Sequence, residues 1–159
     1  MKIFGKKISD NPNIELVVFP RQEGDIIIKA KAVFNYEEFD ALYPRPNPPT
    51  VIRRGESTPE LDIDDKGYNA KLLDWSKTRT NWMIKESLKA TEGIEFETII
   101  DNDPKTWDNI SKELGESGFT PHEVNIIMDA IFDANSLNER KLEEAKKRFL
   151  VGQGQEQGK

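Results

Sequence analysis

The sequence predicts an α+β protein: an N-terminal β-hairpin or small antiparallel sheet, followed by a C-terminal helical bundle of about four helices. Three observations carry this. Apolar residues alternate with a period of two within residues 14–34, and they recur every three or four residues from about 65 to 150. Between the two regimes lies the proline-rich stretch Tyr43-Pro44-Arg45-Pro46-Asn47-Pro48-Pro49. The same shifts divide the chain into an expected β-rich lobe over 1–54 with a proline linker at 43–50, a helical domain over 55–150 and a flexible tail over 151–159.

In the hairpin, Ile14, Leu16 and Val18 alternate with Glu15, Val17 and Phe19, and Ile26, Ile28, Ala30, Ala32 and Phe34 repeat every second residue. Lys29 and Lys31 fall on the opposite, wetter face. The stretch 20–25 is the turn, with Gly24 free to take positive φ. A hairpin alone is marginal in water, so Thr50-Val51-Ile52-Arg53 is the candidate third strand. Asn35 is placed to cap a short helix with Glu38 reaching back, and Pro44 stops it. The prolines that follow favour an extended, stiff connector between lobes; a ligand for an aromatic groove is the alternative.

A helix is expected from about Asp65 to Ala90, with Tyr68, Leu72, Trp75 and Arg79 on one face. Thr78 and Thr80 are weak helix formers, which makes a break at 77–80 possible, and Gly93 is a plausible stop. Ile94 to Ile100 alternates as a short strand or extended segment. Asp103-Pro104 starts the next helix with a capping aspartate and a proline at its first position. Thr120-Pro121-His122-Glu123 starts another with a capping box, and Ser136-Leu137-Asn138-Glu139 offers a third box. The tight connection at 134–136 predicts an antiparallel helical hairpin.

Composition removes most enzyme classes. The chain has no cysteine and one histidine, His122, so thiolate chemistry is excluded and any triad or imidazole-ligated metal would have to use that single residue. His122 reads as an exposed first-turn residue. The acids Glu95, Glu97, Asp101 and Asp103 suggest a metal cluster or acid/base pair, but a wet strand face followed by a cap accounts for them. Asp62-Ile63-Asp64-Asp65-Lys66-Gly67 opens like a calcium loop, yet Lys66 stands at its fifth position and Leu73 at its twelfth, where the loop needs glutamate. No catalytic residue, metal ligand or cofactor is assigned.

A net charge of -6 argues against a nucleic-acid partner. The basic residues of the last helix, Arg140, Lys141, Lys146, Lys147 and Arg148, are nearly cancelled by Glu139, Glu143 and Glu144. No apolar run is long enough to span a bilayer, and the N-terminus has two early lysines with no apolar stretch behind them, so no membrane span or signal peptide is expected. A basic or amphipathic protein partner fits such a chain.

Four blocks carry a resemblance: NWMIKESL at 81–88, IEFETI at 94–99, DPKTW at 103–107 and SLNERKLEEAKKRFLVGQ at 136–153. Together they resemble small phage tail assembly chaperones, proteins encoded beside the tape-measure protein of long-tailed phages. The resemblance implies a non-enzymatic binder in the cytoplasm of the infected bacterial host. Such a protein coats the long helical tape-measure protein, helps tail tube assembly, and is not kept in the virion. A minor structural or adaptor protein of the virion is the alternative. The implied partners are the tape-measure protein and the tail tube protein, with self-association also in view. Candidate protein-binding residues are Trp82, Trp107, Ile127, Ile131, Phe132 and Phe149, for each of which an ordinary core position is the competing reading.

Overall fold

A computed structural model describes residues 1–7, 10 and 12–156. Its elements follow the predicted order: a two-stranded antiparallel sheet near the N-terminus, then a mostly helical region. They are β1 (Ile14–Phe19), β2 (Ile26–Lys31), α1 (Glu37–Leu42), β3 (Thr50–Val51), β4 (Glu60–Leu61), α2 (Lys66–Leu88), a 3-10 turn (Pro104–Asn109), α3 (Ile110–Glu116), α4 (Pro121–Ala134) and α5 (Glu139–Glu156). No helix among the described residues is long and apolar enough to cross a membrane.

The chain divides into two compact units that interleave in sequence. A hairpin unit takes Met1–Phe34, Glu86–Glu95 and Leu114–Lys159; an aromatic unit takes Asn35–Lys85 and Phe96–Glu113. This partition differs from a boundary at 54/55, because the hairpin takes its core from α4, far along the chain.

In the hairpin unit, β1 and β2 pair in the register Ile14↔Lys31 through Phe19↔Ile26. α4 packs against both strands. Phe19, Ile28 and Ala30 on the hairpin and Ile127, Ala130, Ile131 and Ala134 on α4 are buried. Both ends of the contact are fastened. At the start of α4, Arg21 pairs with Glu123 at 2.9 Å, and Phe19 meets Phe119 edge to face at 5.6 Å. At its end, Asn13 donates to the Asp133 and Ala134 carbonyls, and the Val33 N–H donates to Asn135 Oδ1. α4 begins with the capping box that its sequence announces, Thr120 and Glu123 bonding each other's backbone N–H.

In the aromatic unit, Phe39 of α1 is fully buried and its ring lies 5.9–6.2 Å from those of Tyr43, Trp75, Trp82 and Trp107. Lys85 is buried beside them, with Nζ 2.8 Å from Asp101 and 5.2 Å from the centre of the Trp107 ring. The proline stretch is part of this unit and does not bridge two lobes. Tyr43 O accepts the Trp75 Nε1–H at 2.9 Å, Arg45 lies over the Trp75 ring, and Pro44 and Pro46 line a cleft with Ala70, Lys71, Asp74 and Trp75.

Several local expectations are corrected. Thr50–Val51 pairs with Glu60–Leu61 in its own two-stranded sheet, so it adds no third strand to the hairpin. α2 is unbroken: Thr78 and Thr80 turn their hydroxyls back to the Asp74 and Ser76 carbonyls, which satisfies them inside the helix. Residues 94–100 form no strand, because their backbone is taken up by side chains such as Glu113 and Thr106. Asn35 accepts the Glu37 N–H, but the cap position of α1 is Tyr36 and makes no side-chain bond. The helix extends through Glu156, past the expected start of the tail at 151; residues 157–159 lie outside the described residues.

Candidate protein-binding surface

α5 grows out of the end of α4 through a short turn in which Ser136 has φ 57, so Ser136 cannot serve as a regular cap. Asn138 takes that role. Its Oδ1 accepts the Lys141 N–H at 3.3 Å, while its Nδ2 donates to Asp133 Oδ1 at 2.8 Å. Lys141 Nζ also pairs with Asp133. Burial pushes the Asp133 carboxyl up, but the bonds from Lys141 and Asn138 outweigh it and hold the group below its ordinary value. The root of α5 is thereby pinned to α4.

Beyond the root the helix is bare. Every side chain from Glu139 to Gly154 is exposed, and the expected packing of α5 back against α4 is not seen. Leu142, Ala145 and Phe149 nevertheless share one face at helical spacing; Leu150 flanks it and Val151 lies on the opposite side. Phe149 is 63% exposed. The other faces carry mixed charge, with Arg140 3.9 Å from Glu144 one turn on. Among the described residues this is the most extended apolar helix face left in water, rimmed by both signs of charge.

The hairpin offers a second apolar surface. Its inner face is buried under α4, yet its outer face is also apolar: Ile14, Leu16, Val18 and Ile27 are exposed, with Lys29 and Lys31 beside them. The signal lay in the consecutive apolar runs at 16–19 and 26–28, which leave neither face of a strand polar.

The six residues expected to bind a partner are not brought together. Trp82 and Trp107 are core residues of the aromatic unit, while Ile127 and Ile131 are core residues of the hairpin unit. Phe132 is half-buried on α4, and only Phe149 stands in solvent. In the sequence Leu142 reads as part of one apolar face with Ala145 and Phe149, not as a binding residue, and Leu150 and Val151 are not singled out. The signal for that face was an apolar stripe in a helix otherwise charged, with no second stripe in the sequence reserved to cover it.

Two of the acids between 95 and 103, Asp101 and Asp103, have structural partners. Asp101 pairs with Lys85, and Asp103 accepts the Lys105 N–H at the start of the 3-10 turn. The N–H groups of Glu97 and Thr98 bond the buried carboxylate of Glu113 at 2.6 and 3.0 Å, and the Thr98 hydroxyl donates to it as well. Among the described residues no group of three or more His, Asp or Glu is placed to hold a metal ion. His122 is exposed in the first turn of α4.

No protein-family model matches the chain, and neither a curated protein nor a solved structure matches it.

Proposed function

We propose that this chain is a tail assembly chaperone that acts by binding, without chemistry of its own, and that α5 is the element that engages the tape-measure protein. The observation that carries the proposal is α5 itself: 18 residues of helix, rooted at one end and, among the described residues, exposed from Glu139 to Gly154. An isolated helix of that length is marginal in water, and its apolar stripe gains nothing from solvent. A long amphipathic helix is the partner such a stripe suits, packing Leu142, Ala145 and Phe149 into its own apolar seam. The mixed charges along the rim favour a helix with both signs over a nucleic acid. The four sequence blocks that resemble tail chaperones point to the same partner class, and the last of them covers α5 as far as Gln153.

Two measurements test this. Co-expressed with the long helical protein encoded beside it, the chain should co-purify with that protein, and Leu142→Asp with Phe149→Asp should abolish capture without changing the far-UV spectrum of the free chain. Quantitative mass spectrometry of infected cells and of purified particles should then find the chain abundant in the former and missing from the latter. Stoichiometric retention in particles would overturn the chaperone reading and make the chain a virion adaptor.

A further inference from the structure

The two edges of the hairpin are not alike. In an antiparallel pair, alternate residues exchange both backbone bonds across the strands, and those between turn their N–H and C=O groups outward. The Ala32 N–H donates to Asn13 O at 2.9 Å, which fixes the parity. On β2 the outward residues include Lys29 and Lys31, and side chains cover them. Thr91 Oγ1 accepts the Lys29 N–H at 2.9 Å and donates to the Lys29 carbonyl at 3.0 Å, and Ser87 donates to the Lys31 carbonyl at 2.8 Å. On β1 the outward residues are Ile14, Leu16 and Val18. Among the described residues, nothing bonds their outward groups. No lysine stands on the outer face of β1 to protect its free edge, and Leu16 is 56% exposed; the one charge on the strand, Glu15, stands on the other face.

We propose that β1 is the pairing edge of a homodimer, in which two copies of this chain join β1 to β1 antiparallel about a two-fold axis through Leu16. The result is one four-stranded sheet in the order β2–β1–β1–β2. The register follows from the sequence. With the axis at Leu16, that residue faces the partner's Leu16, Ile14 faces the partner's Val18, and the outward groups of all three find partners. The next outward positions on either side are Pro12 and Pro20, which face each other across the axis and have no N–H to lose. Any slip along the strand would set a proline against a residue whose carbonyl then lacks a donor. The prolines therefore fix both the length and the centre of the pairing.

Charge agrees. On the outer face, Ile14, Leu16 and Val18 of both copies meet at the axis, with Ile27 behind them, and the lysines lie on the outer strands. Lys29 of one copy and Lys29 of the other are three strand spacings apart, about 14 Å at the usual ~4.8 Å per strand. That exceeds the screening length of roughly 8–10 Å at ordinary salt, so they do not oppose association. On the other face Glu15 stands opposite the partner's Val17, within Coulomb range of Lys141 of its own chain. Because Thr91 and Ser87 close the outer edges, the sheet stops at four strands, giving a closed dimer and not a fibre.

The test is sedimentation of the full chain over a range of concentrations, alone and as Leu16→Lys and Leu16→Glu. The wild type should pass from monomer to dimer as concentration rises. Each variant alone should dimerise at least tenfold more weakly, because it sets two like charges face to face at the axis. An equimolar mixture of the two should recover the dimer. A wild type that stays monomeric to its solubility limit overturns the proposal, as do variants that dimerise like the wild type or a mixture that fails to recover. Hydrogen exchange needs no variant: the Leu16 amide should exchange fast in dilute solution and slow with concentration, while the Val17 amide stays protected throughout. A Leu16 amide indifferent to concentration would also overturn it.

Discussion

Three tryptophans show how differently one side chain type is treated. Trp75 and Trp107 each donate their indole N–H to a carbonyl at 2.9 Å, from Tyr43 and Ile100 respectively. Trp82 is buried like Trp107 and more deeply than Trp75, its ring packs against those of Tyr36 and Phe39, and its Nε1–H has no hydrogen-bond partner among the described residues. A buried donor left unpaired costs about 1–3 kcal/mol, which offsets part of what the ring gains by burial. Trp82→Phe should therefore lower the unfolding free energy, read from urea titration, by less than ~1.5 kcal/mol, a mild change for so large a residue. Phe39→Ala, at the centre of the same rings, should cost about 3–5 kcal/mol. Glu113 works in the opposite sense. Burial pushes its carboxyl up, but the Thr98 hydroxyl and the Glu97 and Thr98 N–H groups outweigh that and hold it below its ordinary 4.5. A depressed folded value means that the stabilisation is complete above the unfolded value and drains away as pH falls through the folded one. Glu113→Gln should thus be less stable than the wild type at pH 7, and the two should converge in acid, as read by urea unfolding at several pH values.

At the scale of elements, what was legible was local. Thr120 and Glu123 announce their capping box because all its partners lie within four residues, and Asp103-Pro104 announces a helix start for the same reason. Thr120→Ala should cost about 1 kcal/mol, seen as a lowered thermal midpoint. What was not legible depended on distant partners. Nothing in Thr50-Val51 reveals that it pairs with Glu60-Leu61 and not with the hairpin, since two residues hold no register information. The bare state of α5 was hidden too: Leu142 and Phe149 read as core residues because a period of three to four says that a face is apolar, not that anything covers it. The same applied to Trp82 and Trp107 in reverse, whose size suggested contacts while their burial makes them core. If α5 covers nothing, removing residues 142–159 should change the unfolding free energy by no more than ~0.5 kcal/mol, as for other surface changes. It should also abolish capture of the helical partner. A large loss of stability would show that α5 has a place in the core.

The molecule as a whole is α+β with two units threaded through one another in sequence. The order of elements could be read from periodicity, but the partition could not, because composition follows the chain and units follow contacts. The hairpin unit is the extreme case: Asn13 bonds Asp133, 120 residues away, and Phe19 leans on Phe119. During synthesis, then, the hairpin leaves the ribosome long before the helix that covers it. At ~5–20 residues per second, the hundred residues from Phe19 to Phe119 take roughly 5–20 s to make, far longer than the microseconds a hairpin needs to form. Throughout that interval Phe19, Ile28 and Ala30 have no α4 to rest on. A chain ending at residue 113 reproduces this nascent state, and its Glu15 and Val17 amides should exchange with solvent nearly as fast as in an unfolded peptide. In the full-length chain the same amides should be among the slowest. For those seconds of synthesis the inner face of the hairpin, buried in the finished protein, stands open to water.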